Sequence, residues 1–228
     1  MYIIDLNERN CMWGMAPLQN LDRKAKYQAL GRPAKAPIDL DLWKRGEFVR
    51  PADIPEDLRT DQFYLGDFDL AMKVGAPIMQ EGHPPQSFCS PERFFEHGKH
   101  PTFACDMWSY MLIFTVLCFD VTPFTSWQEG GCISGMVRSL GPLPEEWKGH
   151  YIPSGELDFW YDQHTTPDPR LTIEARIEQL RPDLDATDQE LIRSIMSKVF
   201  VFRPEERLTA TQLLHDPSFR ALMERYGC

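Results

Sequence analysis

The chain has 228 residues, 43% of them hydrophobic, and a formal net charge of −10. That is enough length and apolar content for one domain or slightly more with a real core. The acidic balance argues against a general nucleic-acid binder or an anionic-membrane binder, and would suit a protein substrate or partner, basic in character.

The six cysteines, Cys11, Cys89, Cys105, Cys118, Cys132 and Cys228, show no CxxC spacing. Reduced thiols are therefore expected in preference to disulfides or a zinc site. The first residues carry no basic segment, long apolar run or cleavage site, so the expected location is intracellular, cytoplasmic or nuclear.

In chain order, an apolar start through Ile3 and Ile4 meets Asp5, with Asn10 five residues on. One reading is a helix cap followed by a polar turn. The other is chemical: an Asp accepts a proton from a hydroxyl nucleophile while a nearby Asn oxygen holds a metal ion. Residues 14–62 are rich in Pro and mixed charge, without sustained periodicity. Between Leu21 and Lys35, Arg23, Lys24, Lys26, Arg32 and Lys35 face the single acid Asp22, which reads as a solvated loop or short surface helix, or as a docking patch. Phe63-Tyr64-Leu65-Gly66 reads as a short strand leading into Asp67-Phe68-Asp69.

Residues 102–119 hold the most apolar stretch. Met107 to Phe119 carries no charge and is apolar on every face, so the pattern predicts a core helix, a buried strand-rich segment being the alternative. The uncharged run is too short for a membrane span, which needs about 20 residues. Asp106 falls in its first turn, where an acid suits the helix N-terminus.

Pro123 to Tyr161 is aromatic and punctuated by Pro and Gly. It reads as loop packing beside the core helix or as a partner surface, with Gly130, Gly131 and Gly135 in a linker. Amphipathic helices are predicted over Leu171 to Leu180 and Asp188 to Phe200. The second has Leu191, Ile192, Ile195, Met196 and Val199 facing the core and Asp185 or Thr187 as its cap. A last helix is predicted over Thr209 to Leu214, capped at Leu208 or Thr209.

Taken together, these pieces resemble the C-terminal lobe of a eukaryotic serine/threonine protein kinase. Asp5-Leu6-x-x-x-Asn10 is similar to the catalytic loop and Asp67-Phe68-Asp69 to the D-F-G metal-binding turn. Ser90-Pro91-Glu92 is similar to the A-P-E motif, and Asp106-x-Trp108-Ser109 to the signature of the central helix. Arg203-Pro204-Glu205-Glu206-Arg207-Leu208-Thr209-Ala210, followed by Leu213 to Phe219, resembles the end of such a domain. The catalytic-loop flank, the S-P-E form and the insert lean toward SR-protein kinases and their fungal relatives.

The resemblance implies a mainly α fold over residues 1–228, a helical bundle around a central buried helix with short strands near the catalytic loop. Residues 14–62 would be an insert and 67–92 the activation segment. It implies phosphoryl transfer from ATP to a protein hydroxyl with Mg²⁺. Asp5 would be the catalytic base. Asn7, Asn10 and Asp67 would be the cofactor-binding positions, with Asn10 and Asp67 holding the metal. Glu92 would pair with Arg207, and Asp106 would hold the catalytic-loop backbone from below.

The departures are specific. Ile3 and Ile4 stand where most kinases have His-Arg, and Asn7 replaces the Lys that neutralises the transferred phosphate. Asp69 replaces a Gly tolerant of positive φ. Only four residues precede Asp5, leaving no room for the small lobe with its Gly-rich loop and strand Lys. ATP binding by the chain alone is therefore expected to be weak or absent. A non-catalytic pseudokinase or protein-interaction module is the competing expectation. A small-molecule phosphotransferase ranks behind both, because it would lack the S-P-E and Arg207 pairing.

Overall fold

The computed structural model describes residues 6–37, 47–73, 85–95, 101–124, 130–152 and 157–227. The chain divides into two compact units, one of Cys11–Gly66 and one of Met1–Asn10 with Asp67–Cys228.

The smaller unit contains the segment expected to be an insert. Strand β1 (Cys11–Met15) pairs antiparallel with β4 (Arg59–Leu65), and β2 (Lys35–Pro37) pairs with β3 (Glu47–Val49). Helix α1 (Arg23–Leu30) lies between β1 and β2 in sequence, with Asp22 capping it by accepting the Ala25 N–H at 2.7 Å. The register runs Cys11 opposite Leu65 to Trp13 opposite Phe63, then shifts before Met15, which faces Arg59. Gly14 sits at that irregularity because a Cβ there would come within 2.3 Å of Thr60 Oγ1. The strand read at Phe63-Tyr64-Leu65-Gly66 is the end of β4; the mixed composition of residues 14–62 hid the rest, whose strands are short and bury too little to impose alternation.

The larger unit is helical. It comprises α2 (Phe103–Phe119), α3 (Gly131–Leu140), α4 (Ile173–Leu180), α5 (Ala186–Val199), α6 (Ala210–His215) and α7 (Pro217–Arg225). Helix α2 is the predicted core helix. Thr102 caps it, donors at its start being met by Thr102 Oγ1 and Cys105 Sγ, and Asp120 closes it in the left-handed region at φ 56°. Arg181, beyond the end of α4, donates to the Cys118 carbonyl at 2.8 Å and so serves the opposite end of α2.

Trp108, Met111 and Leu112 of α2 are fully enclosed, as are Ile133 and Met136 of α3 and Ile195 and Val199 of α5. Trp108, Phe124 and Phe200 form an aromatic triangle with ring centres 5.0–5.4 Å apart. The expectation that the run Met107 to Phe119 is buried on every face is corrected at Leu117, and Phe103 ahead of it is also exposed. Phe103 is 53% exposed and Leu117 69% exposed, so the apolar character of the helix exceeds what this structure covers.

Three further expectations change. The glycines placed in a linker belong to α3. Gly130 precedes it at φ 87°, where a Cβ would come within 2.6 Å of Trp160, and Gly131 and Gly135 lie inside the helix. Glycines lower helix propensity, and here burial of Cys132, Ile133, Met136 and Val137 overrides it. The chain also continues past the helix predicted to be last. Pro217 ends α6 and starts α7, with Asp216 accepting from the Ser218 and Phe219 N–H groups. Of the two caps proposed for α5, Asp185 is used.

Among the described residues, no helix is long and apolar enough to cross a membrane. Cys11, Cys89, Cys105, Cys118 and Cys132 are not joined in disulfides.

Candidate functional site

Asp5, expected as the catalytic base, lies outside the described residues. The segment following it turns tightly. Asn7 accepts the Arg9 N–H on its side-chain oxygen at 3.1 Å and the Asn10 N–H on its carbonyl at 3.2 Å, and Glu8–Asn10 forms one 3₁₀ turn. Asn7 and Asn10 are both buried. The Asn7 oxygen is thus used to close the turn, and a short amide in that position does not supply the positive charge of a lysine.

Asn10 immediately precedes β1, and Asp67 follows β4 by two positions. Because Cys11 faces Leu65, Asn10 and Asp67 flank in sequence the same end of the antiparallel ladder. Asp67 holds φ 57°, a left-handed conformation uncommon for non-glycine residues, among which Asp and Asn adopt it most readily. The turn continues with the Ala71 N–H donating to the Phe68 carbonyl at 2.9 Å. Asp69 does not share the positive φ, so loss of glycine there removes no left-handed residue that this backbone uses. A carboxylate and an amide oxygen are hard donors of the kind that suit magnesium. Among the described residues, no cluster of three or more His, Cys, Asp or Glu side chains forms a metal cage.

Further along, Glu92 and Arg207 meet in the interior. The guanidinium donates from Nη1 to Oε1 at 2.8 Å and from Nη2 to Oε2 at 2.7 Å, a two-pronged bond between residues 115 positions apart. The Arg207 side chain is 0% exposed and that of Glu92 9%. Its remaining donors go to the carbonyls of Ala104, Val201 and Phe202 at 2.8–2.9 Å. Burial works to raise the Glu92 carboxyl, and the Arg207 charge and hydrogen bonds overcome it, leaving the carboxyl below its ordinary range.

Two further groups complete this clamp. Cys105 donates its thiol to Glu92 Oε1 at 3.2 Å, and Ser109 donates to the Phe88 carbonyl at 2.8 Å. The 3₁₀ turns around Phe88 and Glu92 are thereby fixed to the first two turns of α2. Ser109 stands in the D-x-W-S motif, but its partner is a backbone carbonyl, which sequence does not announce. Burial pushes the Cys105 thiol up to about 11, so it acts as a neutral donor. Asp106 lies in the first turn of α2 and is half-buried.

No protein-family model matches the chain. Over 128 residues it is 29% identical to the serine/threonine-protein kinase AFC2 of Arabidopsis thaliana, a match covering 52% of this chain and 30% of that kinase. The chain thus contains a protein-kinase-like region. It spans under a third of that relative's length, and its mainly helical larger unit is compatible with a kinase C-lobe.

Proposed function

We propose that this chain is the large-lobe portion of a serine/threonine protein kinase-type phosphotransferase, of the group that resembles SR-protein kinases. The buried Glu92–Arg207 clamp carries the reading. It ties the S-P-E segment to a motif near the C-terminus of the chain, in a region similar to a serine/threonine kinase.

In this reading the activation segment spans 67–92 and residues 14–62 are an insert. Asn10 and Asp67 would hold magnesium, which when bound would supply positive charge to offset that of the ATP phosphates. Asp5 orients the hydroxyl of a protein substrate and accepts its proton. Asp106 steadies the loop that carries Asp5. Asn7 is a positioning residue, closing the turn that sets Asn10 in place. The protein acted on or bound by the larger unit is basic, matching the −10 charge of the chain.

A second reading, a non-catalytic interaction module of the same fold, is favoured by one observation. The Asn7 oxygen is engaged in the turn and brings no charge to a transferred phosphate.

Titration with Mn²⁺–ATP separates the two, with Asp67→Ala and Asn10→Ala beside the parent chain. Phosphotransferase chemistry requires saturable binding that weakens at least about tenfold in each variant, a change of about 1.4 kcal/mol. Equal binding in all three places the nucleotide elsewhere and overturns the metal assignment. A large lobe alone covers the nucleotide on one side only, so binding by the parent chain is expected to be weak. Its complete absence even at millimolar nucleotide favours the interaction module.

A further inference from the structure

The unit Cys11–Gly66 departs from the charge of the rest of the molecule. It holds nine Lys and Arg against eight Asp and Glu, within a chain whose net charge is −10. Its basic residues gather where α1 meets the β2–β3 pair. A cleft of about 310 Å³ there is lined by Lys26, Tyr27, Arg32 and Arg50, with Asp53 as its one acid. Leu30, Pro33, Val49 and Pro51 give it an apolar wall. The Arg50 N–H donates to the Ala34 carbonyl at 2.8 Å and fixes the two sides of the cleft to each other.

A second hollow of about 490 Å³ adjoins it and shares Tyr27 and Arg32, adding Arg23 and Lys24. The guanidinium carbons of Arg23 and Arg32 lie 5.4 and 5.8 Å from the centre of the Tyr27 ring, and Arg23 donates to the Tyr27 hydroxyl at 3.1 Å. The aromatic ring therefore holds two cations in place at the junction of the hollows. Among the described residues, Lys24, Lys26, Arg32 and Arg50 have no acidic side chain within ion-pair distance.

From this placement we infer that the cleft of the smaller unit docks an extended acidic segment of a partner protein. The cations on its rim meet carboxylates, while the wall of Leu30, Pro33, Val49 and Pro51 takes the apolar side chains between them. The volume suits a few side chains rather than a helix or a duplex. The acidic remainder of the chain opposes the long polyanion that a general nucleic-acid surface would need. This site is independent of the phosphotransferase reading, since no residue of the candidate catalytic region takes part.

Fluorescence anisotropy on the whole chain tests it, using a short fluorescein-labelled peptide of alternating Asp and Leu. Saturable binding is expected, weakened by added salt and at least about tenfold weaker in the double variant Arg32→Glu, Arg50→Glu. Both arginines are exposed, and an unchanged circular dichroism spectrum and melting temperature show that the variant is folded. The single variant Tyr27→Leu, which releases the two guanidiniums, gives an intermediate loss. No saturable binding, equal binding by the double variant, or tighter binding of a single-stranded oligonucleotide than of the peptide would each overturn the inference.

Discussion

The guanidinium of Arg207 lies 5.1 Å from the centre of the Trp108 ring while both of its terminal nitrogens hold Glu92. One cation thus joins the S-P-E segment, the core helix and the turn after α5. Stacking and a two-pronged bond both require a planar group, which explains why this position carries Arg and not Lys. Arg207→Lys is expected to lower stability by at least about 2 kcal/mol, since a lysine satisfies one carboxylate oxygen and leaves buried carbonyls unmet. Chemical denaturation measures this, and a loss within about 0.5 kcal/mol contradicts the role given to the planar fork.

The same pair sets an acid limit on the fold. The Glu92 carboxyl is held below its unfolded value, so its contribution is complete above about pH 4.3 and is lost as pH falls through the lower folded value. In Glu92→Gln the charge is absent at every pH. The variant should therefore be less stable than the parent at neutral pH, and the gap should narrow as the solution is acidified below that range. Melting curves between neutral pH and pH 3 check this, and parallel curves for the two proteins would count against it.

Asp216 ends one helix and begins the next. It accepts from two backbone N–H groups of α7 and from Lys198 Nζ at 2.6 Å. Hydrogen bonds and charge from these donors hold its carboxyl down against the opposing effect of burial. Asp216→Ala is expected to cost about 1–2 kcal/mol through loss of the cap. Asp216→Asn keeps a capping oxygen and loses only the partly exposed ion pair, for under about 1 kcal/mol. Equal losses in the two variants would show that the cap contributes nothing beyond the charge.

Much of the helical unit was legible in the sequence. Met107 to Phe119 carries no charge, and Leu191, Ile192, Ile195, Met196 and Val199 recur at helical spacing, so α2 and α5 follow from pattern alone. Helix α3 was not legible. Gly131 and Gly135 argue against a helix locally, and only the burial of Ile133 and Met136 beside α2 and α5 in the core makes one stable. Helix α7 was hidden by Pro217, read as part of a terminal motif although Pro commonly opens a helix.

The candidate site divides in the same way. Glu92 and Arg207 could be named as a pair because each stands in a recognisable motif. The third and fourth members, Cys105 and Ser109, act through a thiol donor and a backbone carbonyl acceptor, and although Ser109 stands in the D-x-W-S motif, residue identity announces the partner of neither. The turn-closing use of Asn7 depends on backbone geometry at Arg9, which residue identity does not specify.

The S-P-E segment and the C-terminal motif are joined through a buried charge pair, the joint on which the proposed kinase-type large lobe rests. A double-mutant cycle on Glu92→Ala and Arg207→Ala measures that joint directly. Each single variant strands a buried charge and is expected to lose about 3–5 kcal/mol. The double variant should lose clearly less than the sum of the two. Additive losses, or two negligible ones, would mean that the residues do not meet, and the kinase-type assignment of both motifs would fail.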